Sequence, residues 1–265
     1  MQDRYCGDVG DFGKYGLLRW VCRDTHLRLG VNWYLVPDES GNADGRHTRY
    51  LDPTEENKRR FRECDRKLWE ALGKIIRDNH RRVQRIRTDK ILPRGTVFYE
   101  DVLRWPADMR ATSPGGIEAR KEHRQAWVER GQQKLRDCEL VFFDPDNGLE
   151  TKTKRYKAKG PKYVFFDEIR PYYARGSSVV IYQQMNHLIK AVVQVRDRLR
   201  DIKEKLNAKA CFALVYHRGT ARAFFIVATP EHAEVLKASA MDFVASHWGQ
   251  HFGTQPSEHD VDYAD

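Results

Sequence analysis

Three carboxylates and one amide stand together in a short segment that directly follows a strongly apolar run. The segment is DPDNGLE at 144–150, and the apolar run is LVFF at 140–143. Crowded carboxylates repel one another, so the pKa of one of them is expected to rise toward the range useful for acid or base catalysis. We therefore predict catalytic roles for Asp144, Asp146 and Asn147, with the amide positioning water or a base. The structural alternative is an ordinary turn, because Asp-Pro and Asn-Gly favour turns and Asp144 is suited to cap a helix.

Two segments nearer the N-terminus hold residue types that bind phosphate or cofactor groups. The segment 7–15 (GDVGDFGKY) has three glycines, which indicate a close approach of its backbone to another group. Its candidate substrate-binding residues are Asp8, Asp11 and Lys14, although Asp11 is equally suited to cap a helix. The segment 38–47 is a polar loop whose glycines match neither the dinucleotide-binding fingerprint nor the P-loop. Its candidate substrate-binding residues are Asn42, Asp44, Arg46 and His47.

Further candidates follow later in the chain. His217 and Arg218 lie on a short turn between two apolar runs, where they are predicted to act as proton donor and phosphate clamp. A lone histidine is more often structural, so a turn that merely carries these side chains is the alternative. Gln183 follows the apolar run at 178–182, and Glu150 ends the acidic segment. Both are predicted to bind substrate.

The chain is basic, with a formal net charge of +9 and an isoelectric point near 9.3. Such a surplus favours a polyanionic partner, and a basic protein without one is the alternative. Several cations follow the acidic segment directly, where a phosphate backbone would lie beside a catalytic centre. The predicted backbone-binding residues are Lys152, Lys154, Arg155, Lys157 and Lys159. The predicted partner is nucleic acid, with DNA favoured over RNA.

Apolar runs alternate with amphipathic segments along most of the chain. This alternation predicts a parallel sheet covered by helices on both faces. Strands are predicted at 31–36, 96–99, 140–143, 163–166, 178–182, 210–216 and 223–227, and helices at 12–23, 67–77, 117–136, 188–206 and 230–246. The last two strands are close enough in sequence to pair as a hairpin. The expected fold is α/β, a Rossmann-like three-layer sandwich whose mostly parallel sheet ends in an antiparallel hairpin.

The 265 residues suit one domain, and no repeat or linker divides them. We expect 1–265 to form a single Rossmann-like α/β domain, with 54–95 and 104–136 as helical embellishments and 256–265 as a frayed tail. The five cysteines lack the spacing of zinc or redox motifs, so no metal site is predicted and a cytoplasmic location is expected. No run approaches the ~20 apolar residues that span a bilayer, so no membrane partner is expected.

The order of these motifs resembles the 23S ribosomal RNA adenine-N6 methyltransferase family, which has a Rossmann-like fold and uses S-adenosylmethionine. That family opens with Gly-Asn-x-x-Asp-Val-x-Lys-His, and the matching places here are Gly7, Asp8, Asp11, Phe12, Lys14 and Tyr15. Residues 31–46 resemble its strand and cofactor loop, and 144–147 resemble its catalytic Asp-Pro-Pro-Tyr. Asn147 replaces the aromatic residue that stacks on adenine in that family, and Asp146 replaces the second proline.

These departures favour hydrolysis over methyl transfer, because a carboxylate activates water and stabilises an oxocarbenium ion. Asp-Pro after one strand and a histidine after a later one also resemble uracil-DNA glycosylases and, more weakly, phage-defence DNA glycosylases that excise modified cytosines. We therefore predict a hydrolase that needs no cofactor, flips out a DNA base and cleaves its N-glycosidic bond. The weaker resemblance implies a modified base and a role in phage defence.

Three other functions fit the same residues. A base methyltransferase would require the 38–47 loop to accept S-adenosylmethionine as cofactor. A metal-dependent nuclease would use Asp144, Asp146 and Glu150 around magnesium. A nucleic-acid-binding adaptor would have no catalytic need for either aspartate. The sequence indicates no particular protein partner.

Overall fold

The computed structural model describes residues 1–23, 25–39, 45–151 and 155–255. The strands, in chain order, are β1 (Leu29–Asn32), β2 (Val97–Tyr99), β3 (Leu140–Phe143), β4 (Gly148–Leu149), β5 (Tyr163–Val164), β6 (Ser178–Gln184), β7 (Ala210–Tyr216), β8 (Arg222–Ala228) and β9 (Phe252–Gln255). Within the described residues, seven strands form one sheet in the order β2-β1-β3-β6-β8-β7-β9. The two short strands β4 and β5 pair separately.

The strand directions confirm the predicted mostly parallel sheet. Strands β2, β1, β3 and β6 run parallel, whereas β8 pairs antiparallel with both β6 and β7. The predicted hairpin is therefore present as β7 and β8. It does not end the sheet as predicted, because β9 pairs antiparallel with the outer side of β7. The fold is a Rossmann-like α/β sandwich with an added edge strand.

The first strand ends earlier than the predicted range 31–36. It spans Leu29–Asn32, and its ladder with β3 ends where Asn32 lies opposite Phe143. Tyr34 has a φ of +44°, a left-handed conformation that does not continue a strand. The loop over the carboxyl end of β1 therefore begins at Trp33 rather than at residue 37.

Helices cover both faces of the sheet. In chain order they are α1 (Val9–Val21), α2 (Glu55–Asn57), α3 (Arg66–Arg77), α4 (Gln84–Thr88), α5 (Pro114–Lys134), α6 (Phe166–Ala174), α7 (Ala191–Leu206) and α8 (Ala233–Ala245). Along β6, Val180 belongs to a buried cluster shared with α1, α3 and α8, whereas Val179 and Ile181 belong to a second cluster shared with α5, α6 and α7. Among the described residues, no helix combines the length and apolar character needed to cross a membrane.

Some predicted boundaries differ from those in the structure. Helix α8 begins at Ala233 rather than at 230, because the N–H of His232 donates to the carbonyl of Thr229 (3.0 Å) in a preceding turn. The weak strand predicted at 163–166 is shorter and pairs with β4 outside the main sheet. The expected tail at 256–265 lies outside the described residues.

Helix α1 lies very close to the ends of β7 and β8, and glycines make this approach possible. A Cβ atom added to Gly10 would lie 2.5 Å from Cζ of Arg222, and one added to Gly13 would lie 2.7 Å from the Tyr216 ring. The hydroxyl of Tyr216 also donates to the carbonyl of Val9 (2.9 Å). The close approach predicted from the glycines is confirmed, and the neighbouring group is the side-chain surface of the sheet.

Replacing Gly13 with alanine is expected to destabilise the protein by about 1–3 kcal/mol, because the new methyl group displaces a buried ring held by a hydrogen bond. The gain in helix propensity, about 1 kcal/mol, is too small to offset this clash. Gly115→Ala is the matched control, because nothing lies within 4 Å of its added Cβ. Urea unfolding should show the control variant as stable as the parent or slightly more so. Equal midpoints for both variants would contradict the packing described for α1.

Candidate functional site

A cavity of about 420 Å³ lies at the edge of the sheet where β3 and β6 end. Residues from four parts of the chain line it, within 1–14, 39–47, 144–162 and 182–222. Within the sheet, β2 lies on one side of β1 and β3 lies on the other, so the order of the strands reverses at β1. This reversal of strand order is the place where open α/β sheets bind ligands. The cavity therefore occupies the position expected for a binding site.

The N-terminus of α1 supplies a buried ion cluster to this cavity. Asp8, not Asp11, is the N-cap of α1, and its carboxylate accepts a hydrogen bond from the N–H of Asp11 (2.9 Å). The ammonium of Lys14 lies 2.7 Å from a carboxylate oxygen of Asp11 and 2.7 Å from Oδ2 of Asp144. Asp11 and Lys14 are three positions apart on the helix and so share one face. The helix thereby places one cation between two carboxylates.

Burial and charge shift the pKa values of the cluster in definite directions. Burial raises the pKa of Asp144, and the neighbouring Lys14 offsets only part of this effect. Burial alone would lower the pKa of Lys14, but the carboxylates of Asp11 and Asp144 outweigh it and raise the pKa. The predicted rise in the pKa of one acidic-loop carboxylate is therefore confirmed at Asp144. Its main cause is burial, and the carboxylate that contributes is Asp11 rather than Asp146.

The carboxylate of Asp146 differs from that of Asp144 in its environment. Burial favours its neutral form, but the terminal ammonium of Met1, 2.8 Å away, and a hydrogen bond from Gln2 (2.5 Å) lower its pKa overall. Oδ1 of Asp146 is therefore fully buried beside the terminal ammonium of Met1, and Oδ2 accepts from Gln2. In Asp144, Oδ2 accepts a hydrogen bond from Lys14, whereas Oδ1 makes no hydrogen bond with the described residues. Asp144 is the better placed of the two to act on a ligand.

The segment after Asp144 does not begin a helix, so the helix-cap alternative is wrong. The chain turns at Gly148, which has a φ of +106°, and continues into β4. The side chain of Gln183 donates to the carbonyl of Asn147 (3.0 Å) and accepts from the N–H of Leu149 (2.9 Å). Gln183 was predicted to bind substrate, but its amide fastens this loop. Asn147 lines the cavity.

The other candidate residues are divided between the cavity and its surroundings. His47 and Lys159 line the cavity with Asp8, Asp11 and Lys14. Glu150 does not line this cavity. It forms an ion pair with Lys205 (3.2 Å) and lines, with Lys157 and Arg155, a second cavity of about 730 Å³. Arg155 also forms an ion pair with Asp167, and Arg46 is exposed outside the described lining. The structure does not describe Asn42, Asp44, Lys152 and Lys154.

The turn that carries His217 and Arg218 lies at the edge of the sheet that holds the cavity, since Thr220 and Arg222 of this turn line it, but the side chains of His217 and Arg218 lie outside its described lining. His217 lies beside Gly253 of β9, and burial, followed by the charge of Arg218, lowers its pKa. Arg218 donates to Nδ1 of His251 (2.7 Å) and to the carbonyl of Gln250 (2.7 Å). The edge strand β9 and the turn before it therefore contact the side chains of both residues.

His251 is held as a neutral imidazole. Its Nδ1 accepts from Arg218, which has only donors, so Nε2 must carry the proton and donate to the carbonyl of Arg60 (2.6 Å). Burial lowers the pKa of His251 to about 4. A proton added at Nδ1 would face the guanidinium of Arg218 directly.

Acidification is therefore expected to destabilise the fold before most carboxylates titrate. The unfolded chain takes up the His251 proton below its ordinary pKa of 6.5, whereas the folded protein resists until about 4, so stability falls as pH falls between these values. The full contribution is at most about 3 kcal/mol. Chemical unfolding at pH 7 and pH 5 should show about 2 kcal/mol of this loss for the parent and a smaller loss for His251→Gln. The exposed His247→Gln is the control, and an unchanged slope in His251→Gln would contradict the assignment.

Sequence reasoning missed several residues that line the cavity. Arg222 begins β8 opposite Gln184, and its guanidinium donates to the carbonyls of Arg218 and Thr220 (2.9 Å each) and lies 3.8 Å from Asp8. Tyr182 lies on the same wall, and burial raises its pKa to about 12. The sequence did contain a signal for Arg222. Extending the predicted strand 223–227 by one residue at its start places Arg222 at the edge of the sheet that holds the cavity.

Two further cavity residues join the acidic loop to the loop after β1. Lys162 forms an ion pair with Glu39 (2.6 Å) and lies 3.5 Å from Asp146.

Among the described residues, no group of three or more His, Cys, Asp or Glu side chains is placed to hold a metal ion. Asp144 and Asp146 line one cavity and Glu150 the other, so the three predicted nuclease ligands do not converge.

Comparisons with known proteins found a match among solved structures. No family model and no curated protein sequence matches the chain. A crystal structure of a Legionella pneumophila str. Philadelphia 1 protein assigned to family DUF519 covers 95% of this chain and 97% of its own, with 13% sequence identity and a TM-score of 0.42. The order and directions of the strands identify the fold as Rossmann-like.

Proposed function

We propose that this protein is a hydrolase that extrudes a base from DNA and cleaves its N-glycosidic bond. The observation that carries the proposal is the cavity that Asp144 and Asp146 both line, in which the pKa values of the two carboxyl groups are shifted in opposite directions. Environments that separate the pKa values of two neighbouring acids are typical of catalytic pairs. The free oxygen of Asp144 gives this pair one atom that can reach a ligand.

In the proposed reaction, ionised Asp144 accepts a proton from a water molecule as that water attacks C1′ of the sugar. The C1′–N bond breaks, and its electron pair leaves with the base. His47, a histidine that lines the cavity, replaces His217 as the group that protonates the departing base. The products are a free base and a sugar with a hydroxyl group at C1′. General acid and base catalysis of this kind contributes about 10²- to 10⁴-fold each.

Cations at the cavity support a polyanionic substrate. Lys159 is exposed, lines the cavity and forms no ion pair within the described residues. Arg222 and Lys162 lie on the same lining, where they are paired with Asp8 and Glu39, so Lys159 is the cation that the proposal uses. A phosphate next to an extruded nucleotide would bind the ammonium of Lys159. Phosphate contacts of this kind position the strand without reading its sequence.

The experiment is incubation of the protein with duplex DNA that contains unmodified or modified cytosines, followed by alkali and gel electrophoresis. The proposal predicts alkali-labile abasic sites and release of the free base on at least one of these substrates. Failure on every substrate, with binding of DNA intact, would show that the site does not cleave glycosidic bonds.

A base methyltransferase is the second candidate, and the position of the cavity favours it. The switch point beside β1 is where Rossmann-like folds bind nucleotide cofactors. Titration with S-adenosylmethionine in a calorimeter tests this candidate, together with mass analysis of treated DNA and RNA. A methylated base with no abasic site would favour transfer over hydrolysis.

A further inference from the structure

The second cavity, of about 730 Å³, is lined by the first turn of α5, the N-cap of α6, one face of α7 and residues between β4 and β5. No described residue lines both this cavity and the one that holds Asp144. Its volume lies within the range of about 300–1,000 Å³ that is usual for small-molecule sites. The second cavity is therefore a candidate binding site that the proposed reaction does not use.

Cations outnumber carboxylates on the described lining of the second cavity. The cations are Arg155, Lys157, Arg198 and Lys205. The carboxylates are Glu150, which pairs with Lys205 (3.2 Å), and Asp201, which pairs with Arg198 (3.2 Å). Lys157 is exposed and forms no ion pair within the described residues. The lining therefore carries a net positive charge, which favours an anionic ligand.

Hydrogen bonds fix the backbone that carries Lys157. The indole N–H of Trp105 (2.8 Å) and the N–H of Gly160 (2.9 Å) both donate to the carbonyl of Lys157. The guanidinium of Arg120, which is 9% exposed, donates to the carbonyl of the preceding Tyr156 (2.8 Å). A ligand that binds the ammonium of Lys157 therefore does not have to order this segment, which lowers the cost of binding.

Glu150 lies between two of the lining cations. Its carboxylate is 3.2 Å from the ammonium of Lys205 and 4.0 Å from the guanidinium of Arg155. Lys157 follows Arg155 by two positions, so their Cα atoms are at most about 7 Å apart. A carboxylate brings one charge and two oxygens to these cations, whereas a phosphate monoester brings about 1.5 to 2 charges and three oxygens at pH 7. A phosphate can therefore compete with Glu150 and also engage Lys157.

We propose that the second cavity binds a small phosphate monoester, with Lys157 as the cation that has no carboxylate partner. Ile117, which is 37% exposed, and Tyr156 lie on the same lining and are available to the organic part of the ligand. Each phosphate of a nucleic-acid strand carries one charge, fewer than a monoester. The surplus of cations and the volume of the cavity favour the small ligand over a strand. This site does not depend on the glycosidase function.

The test is calorimetric titration of the full chain with adenosine 5′-monophosphate, inorganic phosphate and adenosine. The two phosphate compounds are expected to bind, and adenosine is not. Lys157→Met should weaken the binding of adenosine 5′-monophosphate by about 10-fold, because a charged hydrogen bond is lost. Lys159→Met is the matched control, since it removes the same charge from an exposed lysine that lines the first cavity, and it should stay within about twofold of the parent.

Glu150→Gln provides a change in the opposite direction. It removes the carboxylate that competes for Lys205 and Arg155, so it should strengthen the binding of adenosine 5′-monophosphate by about 3- to 10-fold. Weaker binding in Glu150→Gln would contradict competition between this carboxylate and the phosphate.

Three other outcomes would overturn the inference. Failure of both phosphate compounds to bind the parent would show that the cavity is not a phosphate site. Equal weakening by Lys157→Met and Lys159→Met, or weakening by Lys159→Met alone, would place the phosphate elsewhere. A DNA oligonucleotide without terminal phosphates that loses affinity in Lys157→Met, while adenosine 5′-monophosphate does not bind the parent, would assign the cavity to a strand. Base release is measured separately, so each of these results leaves the glycosidase proposal to its own test.

Discussion

Replacing Asp144 with asparagine is expected to slow base release by about 10²- to 10⁴-fold, with the fold intact. Asparagine keeps the shape of the side chain and an oxygen that can accept from Lys14, but it cannot take a proton from water. Single-turnover release of base, measured with thermal unfolding of the same variant, tests this result. Asp137→Asn, whose side chain is 68% exposed, is the control and should match the parent in both measurements.

The pH dependence of the parent gives an independent check on Asp144. Burial raises the pKa of this group from its ordinary value of 3.8, so the ionised base is lost at a higher pH than for an exposed aspartate. The acidic limb of kcat/KM should therefore lie above 3.8 and should be absent from the residual activity of Asp144→Asn. An unchanged rate in Asp144→Asn would remove Asp144 from the reaction. The adaptor function would then become the better explanation.

Replacing Lys14 with methionine is expected to destabilise the protein by about 3–5 kcal/mol. The change leaves Asp11 and Asp144 buried, 2% and 4% exposed, without the cation between them. Burying an uncompensated charge is costly, and removal of one partner of a buried pair leaves the other in that state. Urea unfolding measures the effect, and Lys121→Met, at a half-exposed lysine on α5, is the control with an expected change below about 0.5 kcal/mol.

One additional variant and one change of pH make the Lys14 result specific. Adding Asp11→Asn and Asp144→Asn to Lys14→Met removes the stranded charges and should restore part of the lost stability. Acid should do the same for Lys14→Met, because protonation of Asp144 occurs more readily in the folded state than in the unfolded state, which stabilises the fold as pH falls. A loss below about 1 kcal/mol in Lys14→Met would show that these carboxylates are not held charged in the cluster.

Continuous apolar runs allowed some strands to be predicted with their observed bounds. Strands β3 and β7 match the predicted ranges because their residues are buried on both faces or bounded by clear turns. Strand β9 (FGTQ) was missed, since it has one large apolar residue and lies at the edge of the sheet. The early end of β1 depends on the left-handed backbone of Tyr34, which an aromatic residue in an apolar run does not signal.

The candidate site was predicted in place but not in detail. Asp144 and its neighbours could be found because polar residues that follow a buried strand lie at the ligand-binding edge. The contact between Lys14 and Asp144 joins residues 130 positions apart, so only the folded chain reveals it. The side chain of His217 lies beside the missed edge strand β9 and outside the described lining of the cavity, so its direction could not be predicted without that strand.

The most direct test of the central claim is simultaneous detection of free base and abasic DNA from one incubation. Mass spectrometry of the released base and alkaline cleavage of the strand should both be positive for the parent with modified or unmodified duplex, in equal amounts. Asp144→Asn should lower both signals together. A parent protein that binds the duplex and yields neither product on any of these substrates would contradict the account.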